Sequence, residues 1–332
     1  MTSPSVVTTQ PADGTGRMRL LHRLLTPYVR RELPAWGRLY RWLGGEQDDR
    51  FSDSGFGVVR GKVHGFEMTL DLGNWSERLT WFLGRYHDLP LQQMLQRVLR
   101  PGDRFVDIGA NLGMLSLVAA AAVGETGSVL ACEPNPRMVE RLRQTLERNR
   151  LQTVELLHTA VSDAPGTAEL REFAGHAGWG SLSAQGPDGA AATASYQVAC
   201  RVGDDLLSAD DPQQPLVIKV DVEGHEVPVL RGLRQTLAAR LPLVFVEVVD
   251  EHQRRAGFSA GELRDELERL GYRGFVLDAQ RRWLRHDVTL RPLQAREPHE
   301  VDVLFVPPRG ALRERVAALL DAGAGGWPDQ TG

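Results

Sequence analysis

Three short stretches concentrate the residues able to do chemistry. The first is Phe105-Val106-Asp107-Ile108-Gly109-Ala110-Asn111-Leu112-Gly113, an apolar strand pattern running into glycines and then an Ala-rich helix. Gly109 and Gly113 let the backbone approach a ligand, and the helix start offers free N–H groups. A pyrophosphate site would carry G-x-G-x-x-G here, which this stretch lacks. Asp107 on the strand suits a cationic or amine-bearing ligand instead, although a plain tight turn would look similar. The second stretch is Ala131-Cys132-Glu133-Pro134-Asn135-Pro136. Glu133 follows Gly113 by 20 residues, where an acid at a strand end accepts the hydroxyls of a ribose. Asn135 reads as a helix N-cap with Pro136 as the first helical residue, and Cys132 as a small core hydrophobe. The two stretches together imply an adenosine-type cofactor.

The third stretch is Leu216-Val217-Ile218-Lys219-Val220-Asp221-Val222-Glu223-Gly224-His225-Glu226. It ends a buried strand in two acids and a histidine, and open α/β sheets place their ligands at that end of a strand. The next strand ends in Glu247-Val248-Val249-Asp250, so several carboxylates could share one mouth.

Positioning these groups takes alternating strands and helices. Arg104–Ile108, Gly127–Glu133, Val154–Val161, Leu216–Asp221 and Leu243–Val248 read as strands, with helix patterns at 112–123, 136–149 and 226–239. That order specifies an α/β fold with a parallel sheet and helices on both faces. A helix at 259–270 is followed by strand patterns at 273–277 and 301–306. The Gly/Ala/Ser-rich run 174–195 is too long for a turn and reads as a mobile active-site loop. Upstream, 17–43 carries leucines and aromatics at helical spacing among arginines, 56–72 alternates like a hairpin, and 76–99 reads as one helix. The boundaries expected are a disordered tail 1–16, a basic helical arm 17–50, a hairpin and helix 51–100, a catalytic domain 101–310 and a C-terminal helix and frayed tail 311–332.

The chain of 332 residues is 42% hydrophobic and 25% charged, ordinary for a globular protein. Two cysteines, Cys132 and Cys200, form neither a disulfide framework nor a metal knuckle. Without a signal-peptide order or an apolar run of about 20 residues, the expectation is a cytoplasmic protein with no transmembrane segment. Net charge is -4 overall, yet 17–41 holds seven Arg against one acid, a net of +6, leaving -10 on the remainder. An acidic body argues against nucleic acid as partner. The basic arm suits packing on the body, a homodimer contact, or peripheral contact with an anionic surface.

D-I-G-A-N-L-G followed by C-E-P-N-P resembles motif I and the second-strand acid of class I S-adenosylmethionine-dependent methyltransferases. I-K-V-D-V-E-G-H-E-V-P-V-L-R-G-L with F-V-E-V downstream is similar to the FkbM family within them. The resemblance spans about 71–306. It implies a Rossmann-like, mostly parallel seven-stranded sheet in the order 3-2-1-4-5-7-6, its seventh strand antiparallel, with an N-terminal helical and hairpin extension outside the match. It also implies S-adenosylmethionine as cofactor, with Asp107, Gly109, Ala110, Asn111 and Gly113 around its methionine part. Glu133 would hold the ribose, with Pro134 and Asn135 also in the cofactor site, and Asp163 would lie near the adenine. The activity implied is O-methylation of a small-molecule hydroxyl on a sugar, a polyketide or a similar natural product.

In such a transfer the donor is already activated, so the protein must align the partners and exclude water. An alkyl hydroxyl is a weaker acid than a Tyr phenol at about 10, so a base helps. Asp221 is the first candidate, then Glu223, then His225. No metal site is assigned; Mg2+ held by Asp221, Glu223, Glu247 and Asp250 is the alternative to a protein base. Trp179, Ser181 and Glu247 are expected to line the acceptor pocket. The rival readings are a non-catalytic S-adenosylmethionine-binding protein, an N- or RNA-methyltransferase, and a nicotinamide oxidoreductase.

Overall fold

The computed structural model describes residues 24–173, 180–183, 186, 190–282, 285–294 and 301–321. The tail 1–16, the start of the basic arm and Trp179 lie outside these residues. The chain divides into two compact units, 1–89 with 281–286 and 90–280 with 287–332.

In the first unit, helix α1 covers 24–30 and α2 covers Trp36–Trp42. Strands β1 (Phe56–Arg60) and β2 (Glu67–Asp71) pair antiparallel as the alternation predicts. The single helix expected over 76–99 is instead two, α3 (Trp75–Leu83) in this unit and α4 (Leu89–Val98), which from Pro90 on belongs to the second unit. Gly84, at φ 65°, caps the first in the left-handed conformation and ends it. The described part of the basic arm packs within this unit. Val29, Tyr40 and Leu43 share a core with Phe51, Leu72 and Phe82. Arg78 is fully buried there, donating to the carbonyls of Gly45, Leu72 and Gly73 and pairing with Asp48. Glu32 joins the arm to Lys62 and Arg85 through ion pairs of 2.5 and 2.6 Å.

The second unit is built on an eight-stranded sheet, one strand more than expected. Its strands are β3 (Arg104–Ile108), β4 (Ser128–Glu133), β5 (Val154–His158), β10 (Leu216–Val220), β11 (Leu243–Val248), β12 (Arg273–Arg282), β13 (Arg285–Pro292) and β14 (Val301–Val306). They lie in the order β13-β12-β14-β11-β10-β3-β4-β5. β3 is parallel to β4 and β10, β10 is parallel to β11, and β14 is antiparallel to β11. Every residue of β3 and β10 is buried, which is why they read as continuous apolar runs rather than alternating ones. Ile108, Leu130, Ile218 and Val246 belong to one core with Val227, Leu230 and Leu263, each such side chain contributing about 1.5–3 kcal/mol on burial.

The intervening helices follow their local signals. α5 (Met114–Val123) begins after Gly113, and α6 (Pro136–Asn149) is capped by the Asn135 side chain with Pro136 in its first turn. α8 (Glu226–Gly232) and α9 (Arg234–Arg240) replace the one helix expected there. α10 (Asp250–Arg255) and α11 (Ala260–Glu268) follow β11, the latter capped by Ser259, whose hydroxyl accepts the Glu262 N–H at 3.1 Å and donates to the Glu262 carboxylate.

One expected strand divides. The 154–161 pattern breaks after His158, and β6 (Ala160–Ser162) leaves the main sheet for a second sheet of order β6-β9-β7-β8. Its other members are β7 (Gly166–Phe173), β8 (Gly180–Ser181) and β9 (Ala192–Val202). The described part of the expected loop 174–195 is therefore partly strand. The apolar pattern continues across Thr159, but β5 pairs with β4 and β6 with β9.

Candidate active site

The glycine turn after β3 and the end of β10 fit together through one backbone contact. Gly109 sits at φ 78°, and a Cβ there would stand 1.8 Å from the Asp221 carbonyl oxygen, so no residue with a side chain fits. Beneath this contact Lys219 and Asp107 are direct cross-strand neighbours. Lys219 Nζ donates to Gly109 O at 2.7 Å and lies 3.3 Å from both Asp107 Oδ1 and Asp221 Oδ2. Burial alone would lower the lysine, but Asp221 and Asp107 beside it hold it above its ordinary value. Asp107 is 1% exposed and also accepts from Ser116 Oγ at 2.6 Å. Asp221, with its side chain 31% exposed, is the member of this trio that opens outward.

At the end of β4, Glu133 accepts the Asn111 N–H at 2.7 Å on one oxygen and the Asn135 N–H at 2.8 Å on the other. Asn111 takes φ 51°, a conformation Asn tolerates better than most residues. Burial pushes the Glu133 carboxyl up to about 7, against the lowering effect of those two N–H groups. Asn135 caps α6 through its oxygen and donates its Nδ2 to Glu172 Oε1 at 2.6 Å, while Pro134 O lies 3.0 Å from His158 Nε2. Glu172, on β7, also pairs with Arg137 at 3.1 Å. The second sheet thus braces the turn that carries Glu133. Cys132 is a buried core residue, as expected, and burial pushes its thiol up to about 12.

The turn 221–225 is held by an acid outside the expected site. Glu226, 1% exposed, accepts the Val222 N–H at 3.0 Å and the Gly224 N–H at 3.0 Å, and its Oε2 also accepts from Gln253 on α10. Gly224, at φ 106°, passes so close to α10 that a Cβ would stand 2.6 Å from His252 O. Ser181 is at the turn, donating to Glu223 O at 2.9 Å. His225, by contrast, is engaged on the β6 side, with Nε2 2.9 Å from Ser162 Oγ and Asp163 the charge acting on it.

Glu247 and Glu223 converge on His252 of α10. His252 Nδ1 lies 3.1 Å from Glu223 Oε2 and 3.8 Å from Glu247 Oε2, and one donor atom of each residue falls within 4.8 Å of the others. Asp250, placed in the all-oxygen Mg2+ alternative, instead makes an exposed ion pair with Arg254 at 2.8 Å.

Sequence reasoning gave no role to Lys219, Glu226, Glu172 or His252. Lys219 had a signal, a lysine inside an apolar strand two residues before an acid, hence on the same face. His252 and Glu172 had none, because each meets the site through an element packed from elsewhere.

The "Methyltransferase FkbM domain" matches residues 107–273, half of the chain. The hexuronic acid methyltransferase AglP of Haloferax volcanii is 28% identical over 193 residues, covering 56% of this chain and 75% of that protein. A crystal structure of methyltransferase FkbM from Methylobacillus flagellatus matches 70% of this chain at 15% identity with a TM-score of 0.39; the match spans only 54% of that longer chain. Aeropyrum pernix fibrillarin with natively bound S-adenosyl-L-methionine matches at 11% identity, covering 65% of this chain and 73% of its own, with a TM-score of 0.35. With the glycine turn, the second-strand acid and the acidic fourth-strand end all inside the matched span, the chain belongs to the FkbM methyltransferase family.

Proposed function

We propose that this chain transfers the methyl group of S-adenosylmethionine to a hydroxyl oxygen of a sugar-like small molecule, with Asp221 as the proton acceptor. The observation that carries this reading is the Asp107–Lys219–Asp221 trio, which leaves one carboxylate facing outward beside the glycine turn. The similarity to a protein named for hexuronic acid methylation supports a sugar-like acceptor.

The residues present fit the cofactor. Each Glu133 oxygen accepts one backbone N–H, and a carboxylate offers about four lone-pair directions, so both oxygens can still receive ribose hydroxyls. The Gly109–Gly113 turn and the start of α5 would hold the methionine part, with Asp163 toward the adenine. S-adenosylmethionine supplies a methyl group on a cationic sulfur. Asp221 would take the proton of the acceptor hydroxyl as that hydroxyl oxygen receives the methyl group. Lys219 orients the Asp221 carboxylate, and Glu226 keeps the following turn in place. His225, held by Ser162, ranks behind Asp221 and Glu223 as a base.

Incubating the protein with labelled cofactor and a panel of hexuronic acid glycosides, neutral sugars and amines tests the reading. Methyl ethers on sugar hydroxyls support it; label only on carboxylate oxygens as methyl esters, or only on amines, overturns it.

Cofactor affinity carries a pH signature. Glu133 has its carboxyl raised from the ordinary 4.5 to about 7. Its ionised form is the better acceptor for ribose hydroxyls, and only about a tenth is ionised one unit below the pKa. S-adenosylmethionine binding measured by calorimetry should therefore strengthen about tenfold from pH 6 to pH 8, and Glu133→Gln should flatten the profile. The same raised value gives a stability contribution that is full below pH 4.5 and lost as pH rises through 7. An unchanged slope in Glu133→Gln would remove Glu133 from the ribose site.

A further inference from the structure

We propose that Glu223, Glu247 and His252 form a divalent-cation site that takes a first-row transition ion such as Mn2+ or Zn2+ in preference to Mg2+. The three residues come from three elements: the turn after β10, the end of β11 and α10. Their packing is set by tight contacts elsewhere, Gly224 against the His252 carbonyl and Gln253 against Glu226.

Both donor separations measured from His252 fit one coordination shell, and all three donor atoms lie within 4.8 Å of one another. Two ligands each about 2.1 Å from an ion stand about 3.0 Å apart at a right angle and about 3.9 Å apart at 135°. His252 Nδ1 lies 3.1 Å from Glu223 Oε2 and 3.8 Å from Glu247 Oε2. The two glutamates are under one-fifth exposed and the histidine one-tenth, so the ligands are sheltered without being sealed.

Donor chemistry then selects the ion. Mg2+ and Ca2+ favour oxygen ligands alone, whereas an imidazole beside carboxylates suits Mn2+, Fe2+ or Zn2+. Asp250, the fourth oxygen donor of an all-oxygen set, is occupied at the surface by Arg254. Three protein ligands leave positions for water or for an acceptor oxygen, and Asp221 is close enough for its charge to act on His252.

The test is a calorimetric titration of the metal-free full-length chain with MnCl2, ZnCl2 and MgCl2, with neither cofactor nor acceptor present. It therefore succeeds or fails independently of the methyl-transfer reading. The expected result is one Mn2+ or Zn2+ per chain, with Mg2+ at least tenfold weaker. Loss of an outer-shell partner already costs about 10–100-fold in metal affinity, so loss of a ligand in Glu247→Gln or His252→Ala should cost at least tenfold. Asp250→Asn should bind like the wild type. Glu247→Gln keeps the side-chain volume, so it carries the test if His252→Ala fails to fold by circular dichroism. Absence of saturable binding would overturn the site, leaving ordinary histidine–carboxylate hydrogen bonds. Equal affinity in wild type and Glu247→Gln, or Mg2+ binding as tight as Mn2+, would overturn it equally.

Discussion

Asp221→Asn should lower kcat by about 10²–10⁴ while leaving the affinity for S-adenosylmethionine within a few-fold of wild type. That range is the usual contribution of a positioned proton acceptor. The separation of the two effects follows from geometry. Asn keeps the size of the side chain and an oxygen able to meet Lys219, which lies 3.3 Å from the Asp221 carboxylate, so the glycine turn need not move. What disappears is the ability to take the hydroxyl proton. Single-turnover kinetics with a methylated product, alongside calorimetry for the cofactor, reads both quantities. Activity within a few-fold of wild type would remove Asp221 from the chemistry and make Glu223 the next carboxylate to test.

Lys219→Met should destabilise the folded chain by about 3–5 kcal/mol, the usual cost of removing one partner from a buried ion pair. Asp107 is 1% exposed and loses the cation 3.3 Å away, and Gly109 O loses its donor at 2.7 Å. The remaining Ser116 hydroxyl, at 2.6 Å, satisfies one oxygen of Asp107 but not its charge. The double variant Asp107→Asn/Lys219→Met should therefore be more stable than Lys219→Met alone, because no carboxylate is left stranded. Urea denaturation measures both through the midpoint at unchanged slope. A loss under about 1 kcal/mol in Lys219→Met would mean that the trio does not hold the two strand ends together.

The alternation of strand and helix patterns, the glycine turn and the acids ending the second and fourth strands were legible in order along the chain. Each is a local signal: a buried parallel strand needs an unbroken apolar run, a cap needs Asn or Ser at one position, and a close backbone approach needs glycine. Asn135 with Pro136, and Gly109, behave as those rules require. The breaks were less visible. Gly84 divides a helix that leucine spacing alone would carry through, and Thr159 separates two strands that the apolar pattern runs together.

Residue types and their order along the chain determined by themselves that this protein has an α/β architecture. They also determined which strand ends carry the carboxylates. Only the tertiary structure decided how those carboxylates are used. Asp107 faces Lys219 because β3 and β10 pair in one particular register, and a register is a relation between segments more than a hundred residues apart. His252 meets Glu223 and Glu247 because α10 packs against the Gly224 turn. Glu172 reaches Asn135 because β7 belongs to a second sheet. Side-chain chemistry is written locally, but the partner that neutralises, orients or competes for each group is chosen by packing between distant elements.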